Sequence, residues 1–441
     1  MTAPPALTGR TAAALAAEVE SAIVDGRLGA GDVLPAVRAV ASELGLSPTT
    51  VASAYRALGR RGLVRGEGRR GTVVAGRPPL PASAAPVIPP GTRDLATGNP
   101  DPALLPDRRA ALAALDPSPS LYGGPAVEPA LAAVARTALV ADAVPAEHLA
   151  VVGGACDGIE RVLEAHLRPG DTVALEDPGY AAVADLVAAL GLRVHPVAVD
   201  DRGARPDALA AALRAGAGAV VLTPRALNPT GAAFDGARAG DLRVVLDEHR
   251  HVLVVEDDHA AEVAGVAAHT VVTGDRPRWA VVRSVSKPFG PDLRLAVLAG
   301  DGVTVARVAG RQQVGPGWVP TLVQRLVAAL AVDPATAATL RRAGAAYTER
   351  RAALVAALAA DGVEVTAPSG LNVWVPVPDE DAAVRALLAD GWAVAAGARF
   401  RRRSSPAVRI TVARLPVDEA PAVAAALAAA VHPDRARSRS G

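Results

Sequence analysis

The chain has 441 residues, half of them apolar and only 2% aromatic, which gives room for two or three domains with cores of Ala, Val and Leu. Its net charge of +1 identifies no partner. One cysteine excludes an internal disulfide, and the absence of an apolar leader or of about 18 consecutive uncharged apolar residues argues against secretion and membrane spanning, so a reducing, cytoplasmic compartment is expected.

The charge is unevenly spread. Residues 1–80 hold ten arginines against six acids, a balance of +4. Within 53–77 there are seven arginines and one acid, Glu67. Such a stretch fits a nucleic-acid footprint or a solvated arginine face. Helical periodicity runs from Ala12 to Val24. Pro35 opens a second helix, Ala36 to Leu44, and Gly45 makes a turn. Ser47 is placed to cap a third helix reaching Arg60. Two short helices around a glycine turn form a helix-turn-helix pattern, which sets Ser47, Thr49, Thr50 and Ser53 where base edges would lie. Gly62–Arg65 and Gly71–Val74 read as two strands flanking a wing tipped by Arg69 and Arg70.

Residues 77–92 are rich in Pro and Ala, unsuited to helix or central strand, and read as a linker between domains at 8–76 and 93–432. From residue 93 onward short apolar runs alternate with Ala/Leu-rich helical patterns. Val173–Leu175, Ala219–Leu222, Val252–Val255 and Trp279–Val282 predict a mostly parallel sheet buried on both faces. A smaller C-terminal α/β subdomain is expected after it. No internal repeat occurs.

Lys287 is the only lysine, against 45 arginines. Arginine carries charge but stays protonated and forms no imine, whereas a primary amine attacks an aldehyde once deprotonated. The lone survivor indicates covalent amine chemistry, unless it was kept by chance. It stands just past the strand Trp279–Val282, in Ser284-Val285-Ser286-Lys287, with Arg294 seven residues on. Glu256-Asp257-Asp258 follow the strand Val252–Val255, and acids past the end of a buried parallel strand point at the crevice in which open α/β sheets bind ligands. Asn228-Pro229-Thr230-Gly231 and Glu176-Asp177-Pro178-Gly179-Tyr180 each follow a strand. Gly153-Gly154-Ala155-Cys156 precedes a helix whose free N–H groups would suit a phosphate.

Two resemblances follow from these motifs. The run IVDGRLGAGDVLPAVRAVASELGLSPTTVASAYRALGRRGLVRGEGRRGTVVA is similar to the GntR-type winged helix throughout. This implies double-stranded DNA contacts from Arg38, from the start of the third helix (Ser47, Thr49, Thr50, Ser53) and from the wing (Arg69, Arg70, Gly71). Pro48 stands where that family often has arginine. The order of motifs over about 95–430 resembles fold-type I aminotransferases. That implies pyridoxal 5′-phosphate held as an internal aldimine on Lys287, with Asp257 on the pyridine nitrogen, Asn228 on the ring oxygen and Tyr180 on the ring face. It also implies Ser284, Arg294 and the Ala155 and Cys156 amides on the phosphate, Arg409 on a substrate or effector carboxylate, and Tyr122 reaching the phosphate of a neighbouring subunit in a homodimer. His259 replaces a common tyrosine, Cys156 a glutamine and Val127 a glycine. No metal site is expected.

Together the domains resemble the MocR family of regulators, and TPRALNPTG, EDDHA and RSVSKPFGPDLRLAVLAGD resemble its vitamin B6-linked branch. The resemblance implies a DNA-binding transcription regulator that senses pyridoxal phosphate, or an amine or amino acid reacting with it. The alternatives are an active aminotransferase carrying a DNA-binding appendage, and a regulator whose C-terminal domain only dimerises.

Overall fold

The computed structural model describes residues 7–24, 27–60, 63–75 and 88–431. Most of the expected linker, residues 77–87, lies outside the described residues, as do Gly62 and residue 432, the expected end of the second domain. The chain divides into two compact units, one of Met1–Ser83 with the short stretches Leu167–Thr172 and Val187–Arg193, the other of the remaining residues.

In the first unit, α1 (Ala12–Val24), α2 (Val37–Leu44) and α3 (Pro48–Arg60) precede a hairpin of β1 (Val64–Gly66) and β2 (Thr72–Val74). Leu15, Ala16, Val19 and Ala22 of α1 and Val51, Ala54, Tyr55 and Leu58 of α3 are buried, each set on one helical face. The Tyr55 hydroxyl donates to the Pro35 carbonyl at 2.8 Å, tying α3 to the start of α2. Gly45 ends α2 in the left-handed region at φ 66°, where a side chain would be strained. The Ser47 side chain accepts from the Thr50 amide at 3.1 Å, capping α3 with Pro48 in its first turn. The hairpin is antiparallel, Val64 opposite Val74. Residues 31–34 add a third segment, with Leu34 N–H on Thr72 O at 2.8 Å and Val74 N–H on Asp32 O at 2.8 Å.

In the second unit, β3 (Arg93–Leu95) opens the chain, and α4 (Arg109–Ala113) and α5 (Pro129–Ala141) follow. The large sheet takes β4 (His148–Val152), β5 (Thr172–Asp177), β6 (Arg193–Asp200), β7 (Gly203–Ala204), β8 (Ala219–Leu222), β9 (Leu253–Asp258), β10 (Trp279–Ser284) and β11 (Ala296–Gly300). Their order is β4-β11-β10-β9-β8-β5-β6-β7. Strands β5, β8, β9 and β10 run parallel, and β11 is antiparallel to both β10 and β4. Residues of β8, β9 and β10 are buried throughout, the signature of a parallel sheet covered on both faces.

A second sheet joins β12 (Asn372–Pro376), β13 (Trp392–Ala396) and β14 (Ala407–Thr411) to β3, in the order β12-β14-β13-β3. Leu354 and Leu358 of the long helix Pro334–Ala360 and Val423, Ala424 and Leu427 of the last helix cover it. The pairing of β3 with β13 carries residues 96–98 across to the large sheet's strand ends.

Candidate functional site

Alternation along β9 separates its three acids, since successive side chains face opposite sides of a strand. Asp258 on one side accepts from Arg225 Nε at 2.8 Å and from Arg283 Nε at 2.7 Å. Burial opposes its ionisation, but the two guanidiniums hold Asp258 at about 2. Glu256, on the same side, accepts from the Thr270 hydroxyl and the Val271 amide. Asp257 faces the other way. It is 3% exposed, and its Oδ1 has no hydrogen-bond partner. Burial first, then the adjacent Asp258 charge, pushes it up to about 7.

Lys287 leaves the end of β10, level with β9 through the pairing of Val282 with Asp257. Its Nζ donates to the Gly98 carbonyl at 2.7 Å. Burial and the positive charge of Arg409 bring the amine down to about 8, with Asp257 acting the other way. His259 Nδ1 lies 3.9 Å from Asp257 Oδ2. Burial and Lys287 lower its ring to about 4, so the imidazole is neutral at physiological pH.

Arg409, on β14, is 5% exposed and spans the two sheets. Its Nη1 donates to Asn228 Oδ1 at 3.0 Å, its Nη2 donates to the Ala96 carbonyl, and its guanidinium stacks 4.6 Å from the centre of the Phe400 ring. The Nε has no partner. Burial lowers Arg409 to about 10, leaving it charged at neutral pH.

The phosphate-type cradle lies at the start of α6 (Ala155–His166). Arg294 donates to the Gly153 carbonyl at 3.2 Å and passes so close to Gly154 (φ 109°) that a Cβ there would meet its Nη2 at 2.8 Å. Asp157 takes the Gly153 amide at 2.7 Å. Ser284 Oγ donates to Ser286 Oγ at 3.1 Å. Cys156 is half-buried, and its thiol is pushed up to about 11 by burial and by Asp257, which keeps it protonated. Tyr180 is 41% exposed and is raised to about 12, mainly by burial.

Lys287, Asp257, His259, Asn228 and Arg409 are thus linked by contacts or by mutual charge effects. Tyr122 is apart from these contacts. It is 91% exposed, with its ring edge-on to Trp318 at 5.5 Å. In the first unit Arg38, Ser47, Thr49, Arg70 and Gly71 are exposed. Ser47 and Thr50 hydroxyls bond each other at 2.8 Å, and Ser53 accepts from Arg56 at 2.8 Å. Glu67 bridges Arg65 and Arg70 at 2.6 and 3.0 Å. The Arg69 side chain lies outside the described residues.

Sequence reasoning missed the carbonyls of Gly98 and Ala96, the Phe400 ring, and the partners of Asp258. It also missed Asp177, which accepts the Arg402 and Arg403 amides at 2.8 and 2.7 Å and so fixes the loop beside Tyr180. Arg225 and Arg283 were visible as charges inside apolar strand-end motifs, where burial demands a partner. No spacing pointed to residues 96–98.

Residues 93–427 match the family described as aminotransferase class I and II, and residues 11–74 match the bacterial regulatory proteins of the gntR family. Over 413 residues the chain is 40% identical to the vitamin B6 salvage pathway transcriptional repressor PtsJ of Salmonella typhimurium, covering 93% of this chain and 96% of that protein. It is 29% identical over 437 residues to the HTH-type transcriptional regulator TauR of Rhodobacter capsulatus, covering 87% and 88%. The α-aminoadipate aminotransferase LysN of Thermus thermophilus shares the fold with a TM-score of 0.69 at 24% identity, over 79% of this chain and 94% of that one. Fold and site therefore define a gntR-type domain joined to an aminotransferase-class domain. The chain belongs to the MocR family of transcription regulators. No helix among the described residues is long and apolar enough to cross a membrane.

The residues present fit pyridoxal phosphate, the coenzyme that the aminotransferase class implies. Asp257 Oδ1 is a buried acceptor lacking a donor, which a protonated pyridine nitrogen supplies. Lys287 offers the amine, and the start of α6 with Arg294 offers donors for a phosphate.

Proposed function

We propose that the protein is a DNA-binding transcription regulator that holds pyridoxal phosphate on Lys287 and alters its operator binding in response to that coenzyme, or to an amine or amino acid reacting with it. Control of vitamin B6 metabolism follows from the likeness to PtsJ. The observation that carries this is Lys287. The chain's only lysine stands at a strand end, with its amine lowered to about 8 beside a buried acid that has a free oxygen.

When bound, the coenzyme supplies an aldehyde and an electron-withdrawing ring. The protein's own groups do the rest. Lys287 gives up its proton at modest cost near neutral pH and presents a lone pair. Asp257 accepts the ring N–H. Asn228, already on Arg409, has its amide nitrogen available for the ring oxygen, while neutral His259 stands close behind Asp257. Tyr180 covers the ring face, and Ser284, Arg294 and the Ala155 and Cys156 amides take the phosphate. Tyr122, exposed and unbonded to its own site, suits a neighbouring copy in a homodimer, which would present two winged helices to paired half-sites in the cytoplasm. Switching requires the coenzyme to bind the two DNA-affinity states unequally.

Purified protein mixed with pyridoxal phosphate gains an absorbance band near the visible edge, borohydride fixes the adduct on Lys287, and Lys287→Ala loses both. Coenzyme shifts operator affinity, read by fluorescence anisotropy, in the wild type and not in that variant. A colourless wild type without a borohydride adduct defeats the proposal. Arg409, stacked on Phe400 with its Nε free, also suits an amino-acid carboxylate and favours residual transaminase activity as a second reading. Turnover of an amino donor with a 2-oxo acid decides it.

A further inference from the structure

Beneath the coenzyme-facing groups lies a buried charge network that the proposed roles above leave unused. Asp258 takes Arg225 through Nε at 2.8 Å and Nη2 at 2.9 Å, and takes Arg283 through Nε at 2.7 Å. The same two arginines meet again on Asp142, at 3.0 Å from Arg225 Nη2 and 2.7 Å from Arg283 Nη2. Arg283 Nη1 also donates to the Ala138 carbonyl at 3.1 Å. These two carboxylates and two guanidiniums bond one another, all but Asp142 are almost fully buried, and the carboxyls of Glu256 and Glu262 face the same charges, each raised above its ordinary value mainly by desolvation.

Three of the four sit close in sequence to a coenzyme-facing residue. Arg225 lies three positions before Asn228 on the loop after β8. Asp258 separates Asp257 from His259. Arg283 directly precedes Ser284 and lies four positions before Lys287. Asp142 is the residue that ends α5. Arginine suits this task because its planar fork engages two carboxylates at fixed angles, which a lysine ammonium does not.

We propose that Asp142, Arg225, Asp258 and Arg283 are positioning residues that lock the loop bearing Asn228, the end of β9 bearing Asp257 and the end of β10 leading to Lys287 to one another and to the end of α5, so that Asp257 keeps one oxygen free for the coenzyme's ring nitrogen. The proposal rests on pyridoxal phosphate being the ligand. Asp258 and Asp142 together hold both arginines on the strand's far side, away from Asp257. Asp142 closes the ring of bonded charges, so its loss takes one negative charge from beneath the site.

Asp142→Asn is the variant of choice, because this residue is part-exposed and the change keeps its shape. The coenzyme dissociation constant, measured by titration, rises on the order of tenfold, the lower end of what loss of a group orienting a ligand's partner costs. Loss of that negative charge disfavours protonated coenzyme, so the pH midpoint of the Lys287-bound colour change moves down. Asp142→Glu restores both, and thermal unfolding without coenzyme shows that each variant folds. An affinity and midpoint equal to those of the wild type overturn the proposal. So does weakened binding with an unmoved midpoint that Asp142→Glu fails to rescue, since only general disruption would then be at work. A wild type that takes up no coenzyme overturns the ligand itself, which is a distinct result.

Discussion

The start of α3 and the wing use polar groups very differently from the coenzyme cleft. Around the helix and wing the bonds join near neighbours at the surface: Thr50 on Ser47, Arg56 on Ser53, and Arg65 and Arg70 on Glu67, on exposed or half-buried residues. In the cleft, Lys287 reaches Gly98 across 189 residues, Arg409 reaches Asn228 across 181, and Arg283 reaches Asp142 across 141. A surface made of local contacts exists once its helices form, and water and salt compete for every charge on it. A cleft made of distant strand ends exists only when the whole sheet is folded, and there each unpaired charge is costly.

The widest separation between the two regions should appear on deleting a carboxylate that serves two arginines in each. Asp258→Ala leaves the buried Arg225 and Arg283 to share Asp142 alone and lowers unfolding free energy by about 3–5 kcal/mol. Glu67→Gln frees Arg65 and Arg70 into solvent and leaves the denaturant midpoint unchanged. Urea unfolding of both variants measures the contrast. Equal midpoints would mean that the interior network is not stabilising the fold.

Asp257 sharpens the comparison, because its buried carboxyl has an oxygen without a partner and weighs on the ligand-free fold. Burial first, then Asp258, raises it to about 7, while Lys287 opposes them. A carboxyl whose folded-state value is raised stabilises the fold while protonated. Its contribution is complete below about pH 4, the unfolded value, and is lost as pH rises through about 7. Asp257→Asn removes that loss. Without coenzyme, the variant should exceed the wild type in stability at pH 8 by about 1–3 kcal/mol, and the two should converge near pH 4. Its coenzyme affinity should fall, since the ring nitrogen loses its carboxylate. Thermal melts across pH 4–8 give the first result and coenzyme titration the second. A variant less stable than the wild type at pH 8 would show that Asp257 is paired in the absence of coenzyme.

The same contrast explains what could be read from the sequence. Helix limits in the winged helix follow from apolar periodicity, Pro48, Ser47 and Gly45, all acting within one or two turns, and α1 runs from Ala12 to Val24 as the periodicity predicts. Parallel strands were legible from continuous apolar runs, and Lys287 from its solitude. The acids of β9 were legible as a group, but which of them faces the cleft was not shown by composition. Strand alternation and two distant arginines separate Asp257 from Asp258. The β3 segment was hidden because its partner, β13, lies some 300 residues away, and the carbonyls of Ala96 and Gly98 belong to backbone that carries no side-chain signal.

The smallest expected effect lies on the wing. Arg70 is 69% exposed and shares Glu67 with Arg65. A phosphate contact by one arginine releases about one counterion, so Arg70→Gln should flatten the dependence of log affinity on log salt by roughly 0.9. The weakening should be similar for operator and unrelated DNA, because phosphate contacts position the protein without reading bases. Coenzyme affinity should not change, as the ion pair described for Arg70 is with Glu67 of the same wing. Anisotropy titrations over a salt series measure the slope. An unchanged slope would place the wing's phosphate contact elsewhere and leave Arg70 committed to Glu67, whereas a slope change confined to one DNA sequence would make it a base-reading residue.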